Sequence, residues 1–408
     1  MSTAGRARFE QRISRRRLLR QGTLAGTAAL VLGLAGCGAA AGTSSAFAPS
    51  SSGVSPQAAA SRPATTSVSA KPAASWDEML AAAKREGKVV VSGPPDNDTR
   101  DKLPAAFKAR FAIELEYLGG NSTQVAARLQ AERAAGQYTV DLMLAGADTA
   151  HATMLPNGWL DPLKPALLLP EVADASKWKT GRPWLRDPKE ETILQLFNTV
   201  QPTLTLNTQM VAPKDVPTAD ALLDPRWKGK IGAYDPSVNG IGLAIGSALY
   251  KSKGTDFLTK LFKTQNVVLT RDYQQISDWL AHGSYPIGLA VPQNYLDTFR
   301  NAGITFEAVD LPDAPSSIGG GFGLVCLLNR APHPNAARVF ANWIASKEGL
   351  SLYSQTQGQV PVRSDIDPTW IQRELIPKTG VKYLDTYDYD FVVQERAKIR
   401  DFFGSITK

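Results

Sequence analysis

Residues 76–93 read WDEMLAAAKREGKVVVSG, and this order of helix, glycine and strand decides the fold class. Ser75, just before the stretch, predicts an N-cap, because its hydroxyl can accept a hydrogen bond from a free N–H group of the first turn. Gly87 predicts the C-cap, since glycine readily adopts the left-handed conformation that ends many helices. The β-branched run from Lys88 to Ser92 then predicts a short strand that follows the helix directly.

The same alternation of helices and strands continues along the chain. Apolar residues recur with helical spacing in some segments and gather in short runs in others. Helices are predicted at 99–110, 122–135, 218–223, 239–251, 255–265, 273–281, 334–346, 347–356 and near 391–402. Strands are predicted at 113–118, 140–144, 204–206, 231–234, 267–270, 285–291, 304–309 and 322–328. This alternation indicates parallel sheets with crossover helices, arranged in two α/β blocks.

The net charge of +7 on the 408 residues is distributed unevenly. Residues 1–36 carry seven arginines and one glutamate, and residues 38–74 carry one arginine, one lysine and no acid. The remaining body, 75–408, holds 36 basic and 37 acidic residues, a net charge of −1. Binding to nucleic acid requires clustered positive charge that displaces counterions from phosphates. No nucleic-acid partner is therefore predicted for the body.

The first 36 residues resemble an export signal. Residues 14–20 read SRRRLLR, and the apolar stretch 22–36 that follows is too short to cross a hydrocarbon core of roughly 30 Å. Paired arginines before two leucines resemble a twin-arginine signal. The apolar stretch runs into LAGC at 34–37, which resembles a bacterial lipobox, where the signal is removed before the cysteine and the thiol is lipidated.

We therefore expect a signal peptide at 1–36, a lipidated Cys37 and a disordered linker to residue 74. The linker is mostly Ala, Ser, Thr, Gly and Pro, with too little apolar surface to offset the entropy of ordering. The alternative is a basic amphipathic tail that contains a cysteine by chance. The second cysteine, Cys326, lies in an apolar run, and a buried inert thiol is expected there rather than a nucleophile.

Four groups of residues in the body carry a resemblance to a known family. They are LAAAKREGKVVV at 80–91; AERAAG at 131–136 with Asp141; Asn207-Thr208, Asp215-Val216-Pro217 and LLDPRWKGKI at 222–231; and HPNAAR at 333–338 with SKEG at 346–349 and VPVR at 360–363. In this order, over about residues 76–363, the chain resembles the extracellular solute-binding proteins of bacterial ABC importers. Within these proteins it resembles the group related to ferric-iron binders.

The resemblance implies an α/β, two-lobed periplasmic-binding-protein fold of type II with a central ligand cleft. Lobe 1 is expected at 75–198 plus 323–360, and lobe 2 at 199–322 plus 361–408. The implied function is that of a substrate-binding component, which captures a small solute by cleft closure and delivers it to ABC permease subunits. The implied protein is a monomer outside the cytoplasm, lipid-anchored to the outer face of the cytoplasmic membrane.

The resemblance also bears on whether the ligand is a metal. Ferric-binding relatives carry adjacent tyrosines shortly after a Gly-x-x-x-x-small-Leu pattern, which residues 283–289 match. The position of the tyrosine pair falls on Gln293 and Asn294, with Tyr295 one residue further, and neutral amides are poor ligands for a hard trivalent ion. The three histidines show no metal-ligand spacing. We expect an organic solute, which could be anionic, and no metal or cofactor; Fe(III) binding is the alternative.

Polar residues that follow strands or open helices are the candidate ligand contacts, because such loops present backbone N–H donors to a cleft. Arg271 could hold an anionic group in bidentate fashion, although it could equally pair with Asp272 or Asp278 at the surface. Asp96 lies at a loop of the same kind. The candidates are Ser92, Asn121, Ser122, Asp148, Tyr234, Asn239, Arg271, Gln293, Asn294 and Tyr295.

Two other function classes have to be weighed. One is a lipid-anchored extracytoplasmic enzyme, but the sequence contains no Gly-x-Ser-x-Gly elbow, no His-Glu-x-x-His and no Gly-x-x-x-x-Gly-Lys-Ser/Thr loop. We therefore expect no enzymatic activity and no catalytic residues. The other is a sensor subunit that binds a solute and contacts a membrane receptor, and the sequence does not separate sensing from transport.

Overall fold

The computed structural model describes residues 75–407, so the predicted signal, Cys37 and linker lie outside the described residues. The strands are β1 Lys88–Gly93, β2 Glu114–Gly119, β3 Leu142–Ala145, β4 Ile193–Gln195, β5 Thr199–Gln201, β6 Leu204–Asn207, β7 Ile231–Tyr234, β8 Val268–Thr270, β9 Ile287–Leu289, β10 Phe306–Val309, β11 Ser317–Gly319, β12 Leu324–Leu327 and β13 Leu384–Asp385. The α-helices are α1 Trp76–Glu86, α2 Asn97–Phe111, α3 Ser122–Ala134, α4 Pro170–Ala173, α5 Ile241–Thr259, α6 Tyr273–Ala281, α7 Asp297–Asn301, α8 Pro334–Ala345, α9 Lys347–Gln357, α10 Tyr389–Gln394 and α11 Arg396–Ile406.

The first helix begins and ends where the local sequence predicts. The Ser75 hydroxyl accepts a hydrogen bond from the Glu78 N–H at 3.2 Å, which satisfies one of the free donors of the first turn. At the other end, Gly87 has φ of 70° and donates its N–H to the Ala83 carbonyl at 2.9 Å. The left-handed turn at Gly87 directs the chain straight into β1, whose residues after Lys88 are all buried.

Two five-stranded sheets share one topology. The strand order is β2-β1-β3-β12-β4 in the first sheet and β8-β7-β9-β6-β10 in the second. In each sheet the first three strands of this order are parallel to one another. The fourth strand, β12 in the first sheet and β6 in the second, is antiparallel to both of its neighbours. The same architecture is therefore built twice, although the sequence shows no convincing internal repeat.

Each sheet has its own hydrophobic core, which makes the described part of the chain two-lobed. In lobe 1, α2, α8 and the first sheet enclose Phe107, Phe340 and Trp343, whose rings lie 5.4–5.7 Å apart. In lobe 2, α5, α6 and the second sheet enclose a separate cluster that includes Leu243 and Ile276. The predicted two-lobed α/β fold is confirmed.

A third, three-stranded sheet joins the lobes. β5 follows the last strand of the first sheet, and it pairs antiparallel with β11, which follows the last strand of the second sheet. β13, from the C-terminal tail, adds to β11 in parallel. The connections through β5 and β11 therefore run side by side and are held together by backbone hydrogen bonds, as suits a hinge.

The tail after residue 360 differs from its expected placement in lobe 2. Val362 and Ile366 belong to the core of lobe 1, and Val392 of α10 packs with lobe 1 residues around the π-helix Asp148–Met154. Ile399 and Phe403 of α11 pack in the core of lobe 2. The tail bridges both lobes because its successive apolar segments face different cores. The other predicted lobe limits stay a prediction.

Cys326 occupies the centre of the first sheet. It is fully buried on β12, opposite Met143 on one side and Ile193 on the other, and burial raises the pKa of its thiol. The protonated, inaccessible thiol agrees with the expected packing role. Among residues 75–407, no helix combines the length and apolar character needed to cross a membrane.

Candidate functional site

An inner cavity of about 100 Å³ lies between the two lobes and the hinge sheet. Loops at the carboxyl ends of β1, β3 and β9 reach it, which is where α/β sheets place their ligand sites. The hinge strand β5, the start of α5 and the tail complete the wall. The lining residues used below are Asp96, Asp148, Tyr273, Gln293, Asn294, Tyr295, Gln357, Gly358, Tyr387 and Arg396.

A second space, the outer cavity, has about 800 Å³ and shares part of this lining. Asp96, Tyr273, Asn294 and Tyr295 line both cavities, so the two are neighbouring parts of one cleft. The outer cavity is rimmed mainly by polar side chains of both lobes. They include Asn97, Asp98, Asn121, Gln124, Arg271, Asp272, Gln274, Asp297, Thr298, Asn301 and Gln355.

The structure brings six of the ten predicted contacts to this cleft. Asp148 and Gln293 line the inner cavity, Asn121 and Arg271 line the outer one, and Asn294 and Tyr295 line both. Ser122 begins α3 beside Asn121, and its side chain is outside what the structure describes.

Three predicted contacts do not line either cavity. The Ser92 hydroxyl is buried and donates to the Leu118 carbonyl at 3.0 Å, so it joins neighbouring strands instead. The Tyr234 hydroxyl donates to the Arg271 carbonyl at 3.1 Å, and its ring stacks on Tyr273. Asn239 stands just before the N-terminus of α5, and its side-chain oxygen is buried without a hydrogen-bond partner in the described part of the chain.

Arg271 pairs with a residue that the sequence did not suggest. Its Nε donates to Asp235 Oδ2 at 2.9 Å, rather than to Asp272 or Asp278. Asp235 is buried, while the Arg271 side chain is 65% exposed. A guanidinium that is already paired is a weaker attractor for an anionic solute than the free group we expected.

Gln293 and Asn294 occupy the position where ferric-binding relatives carry their tyrosine pair, and the two amides differ in their hydrogen bonds. Gln293 Nε2 donates to Thr205 Oγ1 at 2.9 Å, and its Oε1 accepts from Arg300 at 2.8 Å, so both ends of this amide are used within lobe 2. The Asn294 amide has no hydrogen-bond partner among the described residues. Asn294 is therefore the better placed of the two to bind a solute.

A buried ion pair closes one end of the inner cavity. Arg396 Nη1 donates to Asp148 Oδ2 at 2.8 Å, and the two residues are 2% and 7% exposed. Asp148 begins the π-helix of lobe 1, whereas Arg396 begins α11, which packs on lobe 2. The sequence did not predict Arg396 as a cleft residue, because no local sequence pattern indicates where the C-terminal tail packs.

Three tyrosines contribute rings to the inner cavity. They are Tyr273, Tyr295 and Tyr387, and the rings of Tyr273 and Tyr295 meet edge-on with centroids 5.7 Å apart. Burial raises the pKa of all three phenols, so they are neutral hydrogen-bonding groups at neutral pH. Only Tyr295 was a candidate. Arg271 was selected because it lies in a loop between a strand and a helix. Asp272 and Tyr273 lie in the same place, between β8 and the first turn of α6, and could have been selected for the same reason.

Side chains that could ligate a metal ion do not cluster in the described part of the chain. Within residues 75–407, no group of three or more His, Cys, Asp or Glu side chains is arranged to hold a metal ion. His151 is fully buried beside Tyr389, His282 bonds the Asp278 carbonyl, and His333 bonds Asp141 at 2.9 Å. Each histidine is thus engaged in local packing or bonding.

Solved structures with this architecture are numerous. Iron-bound HitA from Pseudomonas aeruginosa is 17% identical with a TM-score of 0.58, and the match covers 79% of this chain and 99% of HitA. AfuA from Actinobacillus pleuropneumoniae, with fructose-6-phosphate bound, is 17% identical with a TM-score of 0.63, covering 78% and 98%. The substrate-binding protein of an ABC transporter from Agrobacterium tumefaciens is 15% identical with a TM-score of 0.62, covering 79% and 94%.

These likenesses confirm the expected periplasmic-binding-protein fold. At such low identity they carry the fold alone, and the ligands named for them are as different as iron and a sugar phosphate. No curated protein matches the chain. A family model described as bacterial extracellular solute-binding protein matches residues 102–378, which is more than half of the chain. The chain therefore belongs to the bacterial extracellular solute-binding protein family.

Proposed function

We propose that this protein is the substrate-binding component of an ABC importer, which captures a small organic solute between its lobes and delivers it to a membrane permease. The observation that carries the proposal is the cleft itself, because both lobes and the hinge sheet contribute side chains to one cavity. A solute that contacts both lobes binds the closed form more tightly than the open form and so shifts the population toward closure. The closed form is then the one that the permease recognises.

In this proposal the chain works outside the cytoplasm as a lipid-anchored monomer. The SRRRLLR stretch at 14–20 and the apolar run after it would direct export, and Cys37 would carry the lipid. The segment from 38 to 74 would tether the body to the outer face of the cytoplasmic membrane. The near-neutral body charge of −1 supports a function in the cleft rather than on a charged face.

A binding role rather than catalysis is proposed because the charged groups of the inner cavity are held in place. Asp148 is paired with Arg396. Asp96 caps α2, with one oxygen accepting from the Thr99 N–H at 2.8 Å and the other from Gln357 Nε2 at 2.6 Å. A general acid or base has to exchange a proton with the substrate, whereas these carboxylates already accept hydrogen bonds from donors of the fold, an arrangement that suits them better as fixed acceptors.

Fe(III) binding is the second candidate, and one observation favours it. Tyr273, Tyr295 and Tyr387 bring three phenols to the inner cavity, more than the one that the sequence suggested. Deprotonation of these phenols is opposed by burial. Iron would have to displace their protons without help from a cluster of His, Asp or Glu in the described residues. We therefore retain the organic solute as the main proposal.

A thermal-shift screen of the full chain tests the proposal. The screen includes organic acids, phosphonates, polyols, polyamines and Fe(III). One class should raise the melting temperature, since a solute at 100 times its Kd adds about 2.7 kcal/mol to the stability of the folded state. A visible charge-transfer band with ferric salts would favour the iron alternative, and hydrolysis of the stabilising solute would favour an enzyme.

Closure can be measured separately from binding. Spin labels on Lys84→Cys in lobe 1 and Lys260→Cys in lobe 2, in a Cys37→Ala background, report the distance between the lobes; Cys326 is buried and stays unlabelled. The distance should shorten with the stabilising solute. Solute binding without any shortening would contradict the closure mechanism. Loss of cellular uptake when the gene is deleted separates transport from sensing.

A further inference from the structure

Most charged side chains of the outer cavity are neutralised by neighbours. Asp98 binds Lys102 at 2.6 Å and Asp297 binds Arg300 at 2.8 Å, while Arg271 binds Asp235 at 2.9 Å. Each of these pairs is neutral as a whole, so it contributes no net charge that would attract a solute.

Two carboxylates of the outer cavity have no ion-pair partner among the described residues. Asp96 belongs to lobe 1 and Asp272 to lobe 2, and both line the outer cavity. Asp272 uses only one oxygen, Oδ1, to accept from the N–H groups of Gln274 and Gln275 at 2.8 and 3.1 Å. Arg100, on the helix that Asp96 caps, donates to the Asn97 side chain and the Pro95 carbonyl rather than to Asp96.

An aromatic ring lines the outer cavity together with both carboxylates. Tyr295 lines both cavities, with Tyr273 edge-on to it at 5.7 Å. Burial raises the pKa of the Tyr295 phenol, and the charges of Asp96 and Asp272 raise it further. Carboxylates beside aromatic faces are the surroundings that an organic ammonium group prefers, because both the full charges and the ring quadrupoles attract it.

The position of the two carboxylates on opposite lobes links their charge to closure. As the lobes approach, Asp96 and Asp272 approach as well, and the repulsion between like charges opposes the closed state. A cation bound between them would turn this repulsion into attraction to both lobes. Such a solute would have a large difference in affinity between the open and closed forms, which is what ligand-driven closure requires.

We infer that the solute carries a positively charged organic ammonium group, bound between Asp96 and Asp272 against the ring of Tyr295. This inference rests on the proposed solute-binding function and replaces the expectation of an anion held by Arg271. Spermidine, with several ammonium groups, and choline, with a quaternary one, are suitable probes. Citrate and inorganic phosphate represent the anionic class.

Calorimetric titration of the full chain and of two variants tests the inference. At least one cationic probe should bind, and Asp96→Asn and Asp272→Asn should each weaken it at least tenfold. Asparagine is as good an N-cap as aspartate, so both helices keep a cap while the charge is lost. Gln357 can reverse its amide to meet the new donor at position 96. The control is Asp174→Asn, an exposed cap of lobe 1 away from the cleft, which should leave affinity unchanged.

The outcomes separate this inference from the proposed function. If neither cation binds, or if both variants keep wild-type affinity for the cation that does, the inference is wrong. Binding and lobe closure with citrate, phosphate or a polyol would then leave the solute-binding function intact. If no solute of any class binds or closes the lobes, the proposed function fails as well. Affinity for the cation should also fall as salt is raised, because the attraction is partly exposed to solvent.

Discussion

Gly358 lies directly against Asn294 across the cleft. A methyl group added to Gly358 would stand 3.0 Å from Asn294 Cβ, closer than neighbouring side chains normally pack. Gly358 ends α9 in lobe 1 with φ of 59°, and Asn294 follows β9 in lobe 2. The lobes therefore touch at this edge of the inner cavity, and the described conformation is closed there.

Because this contact has no room for a side chain, Gly358→Ala should hinder closure. We expect solute affinity to fall by about five- to tenfold, the equivalent of roughly 1–1.4 kcal/mol, and the lobe-to-lobe distance with bound solute to lengthen. The matched control is Gly136→Ala, where φ is 69° and no atom of the residues that the structure describes lies within 4 Å of the added methyl. Both variants suffer the same backbone strain of about 1 kcal/mol, but only the first should lose affinity. Equal affinity losses would contradict a closure contact.

The buried pair of Asp148 and Arg396 predicts a large stability effect. Arg396→Met leaves a carboxylate buried without its counter-ion and should lower the free energy of unfolding by about 3–5 kcal/mol in urea titrations. The double variant Asp148→Asn, Arg396→Met should recover more than half of this loss. Arg400→Met, on the exposed side of the same helix, should cost less than about 1 kcal/mol. A double variant no better than the single one would show that the tail docks by other contacts.

His151 predicts a specific loss of stability in acid. Burial lowers its pKa to about 4, from a usual value of 6.5, and the Arg186 charge contributes. Between these two values the unfolded chain binds a proton that the folded chain does not, so stability falls as pH falls from 6.5 toward 4. The full effect is about 3 kcal/mol.

Replacement of His151 isolates this contribution. Both ring nitrogens are buried and have no hydrogen-bond partner between residues 75 and 407, and the ring packs edge-on against Tyr389 with centroids 5.6 Å apart. His151→Phe should therefore be accepted, and should flatten the dependence of the unfolding free energy on pH between 6.5 and 4. An unchanged slope in the variant would assign acid sensitivity to other groups.

The lipobox predicts where the protein is found in the cell. Cys37→Ala removes the thiol that would be lipidated, so the chain should move from the membrane fraction to the soluble extracytoplasmic fraction. Cys326→Ala is the matched control, because that thiol is buried in the first sheet and should leave membrane association unchanged. Membrane retention of the Cys37→Ala protein would count against a lipid anchor.

The sequence by itself determined the local elements, because their signals come from residues a few positions apart. Ser75, Gly87 and the valines of β1 act through caps and spacing within one helix and one strand, and the structure has both where they were expected. The loops after strands were also found in this way, and six of the ten predicted contacts reach the cleft. The four groups of residues between 80 and 363, taken together and in order, carried the resemblance to the family before any contact was known.

Only the tertiary structure decided which of these loops face one another. Arg271 pairs with Asp235, 36 residues away, and Asp148 with Arg396, 248 residues away. No local pattern selects such partners, since they depend on how the two lobes and the tail pack. The same packing brings Asp96 of lobe 1 and Asp272 of lobe 2 to one cavity, and so sets the charge that a solute meets. The resemblance in sequence implies a cleft, but the electrostatic character of the cleft follows from which charges the fold leaves unpaired.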